Sequence, residues 1–191
     1  MKTVSSLLAA SLLISTASVQ AAPTIQWKEI SFAQHTQHLD AGYTLTLKGF
    51  GISGSALLTD KVLLTASKSR TSGQKEGWYF PEVNLSTTTV GLGLRNALTE
   101  STDYFGIMTY EQWDAGQRDN GLGVTAGVRS MLNDYVELSG AIRHLNVGDD
   151  GSETGASVGA RFYLNATTSM NLGYEKYDDF SDATFSLSFY F

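Results

Sequence analysis

The chain has 191 residues, with 13 lysines and arginines, 19 aspartates and glutamates, and no cysteine. This length suits a single folded domain. The lack of cysteine excludes a disulfide framework, a thiolate metal site and a cysteine nucleophile. The acidic balance argues against nucleic acid as a partner. Glycine and aromatic residues are frequent, with 19 Gly, 9 Tyr and 9 Phe, whereas there are only 2 Pro.

The N-terminus has the features of a secretory signal peptide. A short basic start at Lys2 precedes an apolar stretch from Leu7 to Val19, and the stretch ends in a small-x-Ala cleavage site at Ala21. The stretch is too short and too rich in serine to form a membrane-spanning helix. We therefore predict a cleaved signal peptide over residues 1–21 and one exported domain over residues 22–191.

The remaining sequence alternates apolar and polar residues with period two, which indicates β-strands with one apolar face. A soluble sandwich buries that face, whereas a membrane barrel turns it to lipid. Three features favour the barrel. Glycine is frequent on the polar face, the segments have about the ten residues that a bilayer-crossing strand needs, and aromatic residues gather at the segment ends.

A turn motif recurs at Leu58, Leu98, Leu132 and Leu164, each time followed by Thr or Asn and by further turn-forming residues. These short turns alternate with longer polar stretches, which we predict as loops on the opposite side: 35–41, 70–85, 114–120, 148–153 and 178–182.

The pattern predicts an antiparallel up-and-down transmembrane β-barrel. We expect ten strands, with eight as the alternative if the first segment is a periplasmic tail. An even number places both termini on the periplasmic side. The predicted strands cover residues 25–33, 42–57, 62–69, 86–97, 103–113, 121–131, 136–146, 154–163, 168–177 and 183–191.

Charged residues recur on the polar face at fixed distances from the turns. Strand alternation predicts that these side chains point inward. An arginine that faced lipid at the bilayer midplane would cost about 2–4 kcal/mol, which favours the same direction. We expect Glu29 and Lys48 to join them from the first two strands. The predicted lumenal charge network consists of Arg95, Asp103, Glu111, Arg129, Glu137, Arg143, Arg161 and Glu175.

The network has two interpretations. It forms an ion-selective constriction, or its charges pair to fill and neutralise a narrow interior. The balance of arginines and carboxylates favours the second. In that arrangement we expect Asp103 to lie between Arg95 and Arg129, and Glu137 to lie between Arg129 and Arg161.

Little in the sequence points to catalysis or metal binding. We expect His35 and His38 in the first loop, exposed to solvent. His144 lies on the strand phase opposite to Ser139 and Glu137, which argues against a hydrolase triad. We therefore predict no catalytic residues, no cofactor and no metal.

The predicted outer loops are acidic, and one of them carries aromatic residues. We expect the acidic rim to meet lipopolysaccharide through divalent ions. The loop residues Trp78, Tyr79 and Phe80 form either a surface-contact patch or part of the outer aromatic girdle.

The chain resembles the small Gram-negative outer-membrane β-barrels of the OmpX-like and OmpA transmembrane-domain type. The resemblance rests on the signal peptide, the short turns and the alternating C-terminus with Phe185, Leu187, Phe189 and Phe191. It implies location in the cell outer membrane and a C-terminal signal read by the barrel-assembly machinery. The partners it implies are outer-membrane lipid, lipopolysaccharide and, in transit, periplasmic chaperones.

These observations lead to three functional hypotheses. The first is a non-enzymatic integral outer-membrane barrel with a surface-interaction or envelope-integrity role. The second is a narrow porin-like channel for small solutes. The third is an outer-membrane enzyme that modifies lipid or cleaves protein. The architecture alone does not distinguish them, because it hosts many functions.

Overall fold

The computed structural model describes residues 25–40, 44–73, 82–146 and 151–191, which form one closed antiparallel barrel. The prediction of ten strands is confirmed, and the alternative of eight is wrong. In these ranges no helix is long and apolar enough to cross a membrane. The predicted signal peptide lies outside the described residues. The strands are β1 Glu29–Asp40, β2 Thr44–Leu57, β3 Val62–Gly73, β4 Val83–Ala97, β5 Thr102–Asp114, β6 Arg118–Asn133, β7 Val136–Asn146, β8 Ser152–Asn165, β9 Thr168–Lys176 and β10 Phe180–Tyr190.

Each strand pairs with its neighbours in sequence, and β1 closes the barrel against β10. Glu29 lies opposite Tyr190 in that closing pair, so the start of β1 and the end of β10 lie at the same end of the barrel. We call this side the terminal end and the opposite side the loop end. The turns over residues 58–61, 98–101, 134–135 and 166–167 all lie at the terminal end.

Short side chains explain why the chain reverses at these turns. The Asn133 side-chain oxygen accepts hydrogen bonds from the backbone N–H groups of Tyr135 and Val136. Asn165 does the same for the N–H group of Thr167, and Thr59 Oγ1 accepts from the N–H group of Val62. Asn and Thr in the recurring motif therefore accept hydrogen bonds from backbone N–H groups in the turns.

The two faces of the sheet differ as the alternation predicts. Apolar side chains point outward and are exposed, as for Phe50 at 73% and Met108 at 66%. Polar side chains point inward and are buried, as for Glu137 at 2% and Ser188 at 0%. A continuous exposed apolar surface of this kind needs a hydrocarbon covering, because water would make it aggregate.

Several strands reach further toward the loop end than the sequence predicts. The first strand covers 29–40 rather than 25–33, so His35 and His38 lie in β1 and not in a loop. The predicted loop 114–120 shortens to residues 115–117 between β5 and β6, where Gly116 has a φ of +97°. Similarly, β10 begins at Phe180, inside the predicted loop 178–182. Beyond the bilayer a strand pairs without needing an apolar face, so composition does not mark its end.

The cost of placing an arginine on the apolar outer face should depend on its depth in the bilayer. Met108 faces outward in the middle of β5, and Ser152 faces outward at the loop end of β8. We expect Met108→Arg to lower the free energy of unfolding in lipid vesicles by about 2–4 kcal/mol, and Ser152→Arg by about 0–1 kcal/mol. Denaturant unfolding of the two variants checks this. Equal losses would show that the outer face does not contact hydrocarbon.

Candidate functional site

The inward-facing charged and aromatic side chains form two layers across the lumen. All eight residues of the predicted network lie in one of these layers. The loop-side layer consists of Glu111, Arg143, Glu175 and Tyr177. The terminal layer consists of Trp27, Glu29, Arg95, Asp103, Arg129, Glu137, Arg161, Tyr163 and Tyr190.

A two-pronged ion pair forms the centre of the terminal layer. Arg129 donates from Nε to Glu137 Oε1 at 2.7 Å and from Nη2 to Oε2 at 3.1 Å. The Tyr163 hydroxyl donates a further bond to Glu137 Oε2 at 2.7 Å. Because both charges are buried, these hydrogen bonds must replace the water that each group loses.

Trp27 crosses the lumen from the segment that precedes β1. Its indole Nε1 donates to Asp103 Oδ2 at 2.7 Å, and that carboxylate also accepts a 2.7 Å bond from Arg95. The Arg129 guanidinium carbon lies 4.3 Å from the centre of the indole, within cation–π range. Phe105 packs edge-on against the same ring, with the ring centres 5.6 Å apart. Trp27 thus packs across the terminal end of the lumen.

Glu137 lies between Arg129 and Arg161 as expected, opposite Arg161 in the β7–β8 pair. Arg161 nevertheless bonds to Glu29. It donates from Nη2 to Glu29 Oε1 at 3.0 Å, and Nη1 lies 3.0 Å from Glu29 Oε2. Glu137 instead bonds to Arg129 and Tyr163. Closure of the barrel is the reason, because it brings the first strand within reach of β8 across the lumen.

One expected position is confirmed and another is wrong. Asp103 lies between Arg95 and Arg129 as expected, opposite Arg129 in the β5–β6 pair and bonded to Arg95 and Trp27. Lys48 does not join the network. It lies on the exposed, outward phase of β2 that it shares with Phe50.

The loop-side layer centres on Arg143. Its guanidinium pairs with Glu111, and its Nη1 lies 3.6 Å from Glu175 Oε1. The Tyr177 hydroxyl donates to Glu175 at 2.7 Å. This layer therefore links side chains of β5, β7 and β9 near the loop end.

A polar chain that the sequence analysis missed lies beside this layer. His35 Nδ1 lies 2.8 Å from Asp182 Oδ2, which also accepts a 3.3 Å bond from Gln37. The Thr71 hydroxyl donates to Gln37 Oε1 at 2.8 Å. His35 and Gln37 are an even number of residues from Glu29, so the sequence could have indicated that all three side chains face the lumen. The partner Asp182 becomes visible only once β1 is paired with β10.

A polar chamber lies between the two layers. One cavity of about 340 Å³ lies along β7 to β10, and an adjoining one of about 330 Å³ lies along β1 to β3. Arg161, Asn171, Thr184 and Ser186 line both cavities. Charged side chains such as Arg129, Glu137 and Glu175 also line the chamber, and so do six further serines: Ser31, Ser53, Ser67, Ser69, Ser139 and Ser157. The chamber is therefore suited to water and small polar solutes.

The side chains considered for catalysis are not brought together. His144 is exposed on the outer face and bonds to Thr154, whereas Ser139 and Glu137 face the lumen. In the described part of the chain, no three His, Asp or Glu side chains cluster as metal ligands would.

The remaining predicted residues are only partly described. Phe185, Leu187 and Phe189 lie on the outward face of β10, and Phe191 follows the strand with 71% exposure. Their recognition by the assembly machinery stays a prediction. Trp78, Tyr79 and Phe80 lie outside the described residues.

Known structures share this architecture. The chain is similar to the KdgM porin in complex with disordered oligogalacturonate, with a TM-score of 0.54 and 8% identity over 85% of this chain and 99% of that one. It is similar to the NanC porin, with a TM-score of 0.54 and 8% identity over 84% and 100% of the two chains. An outer-membrane channel from Pseudomonas putida F1 gives 0.53 and 11% identity over 93% and 100%. The chain has the fold of the outer-membrane β-barrels. No family model and no curated protein sequence matches it.

The buried pair in the terminal layer allows a stability test. We expect Arg129→Ala and Glu137→Ala each to lower the free energy of unfolding by about 3–5 kcal/mol, because each leaves an unpaired buried charge. The double variant should lose less than the sum of the two.

Denaturant unfolding in vesicles measures this double-mutant cycle. The control is Arg118→Ala, which breaks a pair whose arginine side chain is 72% exposed, and which should cause no measurable loss. Additive losses for Arg129 and Glu137 would contradict the direct coupling between them.

Proposed function

We propose that the chain is an integral outer-membrane protein whose lumen conducts small polar solutes. The polar chamber between the two layers is the observation that carries this proposal. A barrel that served only as a membrane anchor has no need of hydroxyl-lined cavities, and packed side chains would stabilise it more. Outer-membrane barrels have their short turns on the periplasmic side, so the terminal end faces the periplasm and the loop end faces the outside.

The charges that surround the chamber favour neutral or cationic solutes. Glu29, Asp103, Glu111, Glu137, Glu175 and Asp182 are carboxylates in lumenal ion pairs, against the four arginines Arg95, Arg129, Arg143 and Arg161. The formal excess is therefore negative. Pore-lining charges of one sign attract ions of the opposite sign and repel their own.

The structural neighbours support a porin-like barrel but not a particular solute. KdgM is described as a porin seen with an oligogalacturonate, an acidic saccharide. At 8% identity that ligand does not carry over, and the carboxylate excess of this lumen argues against an anionic substrate. We therefore expect this chain to select against acidic solutes.

The surface-interaction hypothesis has less support. The aromatic residues that motivated it lie outside the described residues, and two described outer connections, 115–117 and 177–179, are short. It stays a prediction, as does the absence of enzyme activity.

The closed terminal layer predicts a conductance change. We expect wild-type protein in planar bilayers to show small, infrequent openings, and Trp27→Ala to raise the conductance, because the indole bridges Asp103, Phe105 and Arg129. Single-channel recording checks this.

The control is Tyr110→Ala, which removes an aromatic side chain from the outer face instead. A boiled and an unboiled sample of each variant on gels verifies that the barrel has folded. If the folded Trp27→Ala protein is as silent as a protein-free bilayer, the channel proposal is wrong.

A further inference from the structure

The outer face of β3 carries two basic side chains where apolar ones are expected. On β5 the outward aromatic residues continue as far as Tyr110, close to the loop end. On β3 the outward apolar run stops at Ala66, in the first half of the strand, and exposed Lys68 and Arg70 follow.

These two side chains lie directly beside the lipid-facing surface. In the β2–β3 pair Lys68 lies opposite Ile52, and Arg70 lies opposite Phe50. Both neighbours are exposed apolar residues, so the positive charges lie beside the apolar belt, in the half of β3 that is nearer the loop end. A basic side chain facing lipid is destabilising at the midplane and tolerated near the interface. An anion at the lipid surface would offset the remaining cost.

The surroundings form a polar depression rather than a flat surface. Lys68, Arg70, Asn84 and Ser86 line an opening of about 310 Å³ between β3 and the end of β5. Asp114 lines it too and is close enough to interact with the charge of Arg70, but its ion pair is with Arg118 at 3.2 Å. No ion pair to Lys68 or Arg70 is formed by a carboxylate in the described ranges. Two cationic groups and two neutral donors are thus available to an incoming anion.

We propose that this depression, with Lys68 and Arg70, binds a phosphate group on the headgroup of an outer-leaflet glycolipid. The guanidinium fork of Arg70 matches two phosphate oxygens, and Lys68 adds a point charge. A lipid rather than free phosphate is the occupant, because Phe50 and Ile52 beside the cations contact its acyl chains. The proposal requires the barrel to lie in the outer membrane, but it does not depend on conduction.

The test measures lipid affinity of the whole barrel purified in detergent. Bisphosphorylated lipid A is titrated against wild type, the double variant Lys68→Gln/Arg70→Gln, and Lys61→Gln as a control at an exposed turn of the terminal end. We expect the double variant to bind at least about tenfold more weakly, as lost hydrogen bonds to charged groups predict, and the control to bind like wild type. Dephosphorylated lipid A should show the same loss on wild type.

Three outcomes would overturn the proposal. Equal affinity of the phosphorylated and dephosphorylated lipids would show binding through acyl chains alone. An equal loss in the double variant and in Lys61→Gln would show a diffuse charge effect. Complete displacement of the lipid by equimolar inorganic phosphate would show a free-anion site. Unboiled gels confirm folding of each variant, and the titration reads lipid affinity alone, so its outcome is independent of the channel test.

Discussion

A strand that crosses a bilayer must find partners for its backbone N–H and C=O groups within the protein, because hydrocarbon offers none. In this chain the pairing of β1 with β10 meets that constraint by leaving no free edge. Closure then divides the side chains into an outer and an inner set. The outer set is mainly apolar, and the charges on the crossing strands lie in the lumen or, as at Lys68 and Arg70, on the loop-side half of the outer face.

The lumenal charges consequently pair between strands rather than along one strand. Arg129 with Glu137 and Arg161 with Glu29 join inward side chains near the terminal end. The two charges of each pair neutralise each other, and their side chains fill part of the lumen. Serine, threonine and asparagine are among the side chains that line the volume between the two layers, which leaves a polar chamber and not a packed core. Paired charges and a polar chamber are therefore compatible in one lumen.

The alternation in the sequence was sufficient to predict the architecture, because lipid and lumen impose opposite chemistry on successive residues. It also predicted the inward phase at Arg129 and Glu137, since strand phase needs no partner information. Partner choice at Arg161 was not predictable, because Glu29 becomes its neighbour only through closure. Lys48 and His35 were placed wrongly for a related reason: near the loop end the polar composition no longer distinguishes the outer face from the inner one or from a loop.

The central claim is that the outer face contacts lipid while the lumen holds water. Alanine methyl groups report both sides without mutation: Ala126 is exposed on the outer face, and Ala33 lines the chamber. Magnetisation transfer to these methyls, measured by NMR in lipid nanodiscs, should give lipid acyl-chain signals at Ala126 and water signals at Ala33. Lipid contact at Ala33, or water contact without lipid at Ala126, would contradict the account.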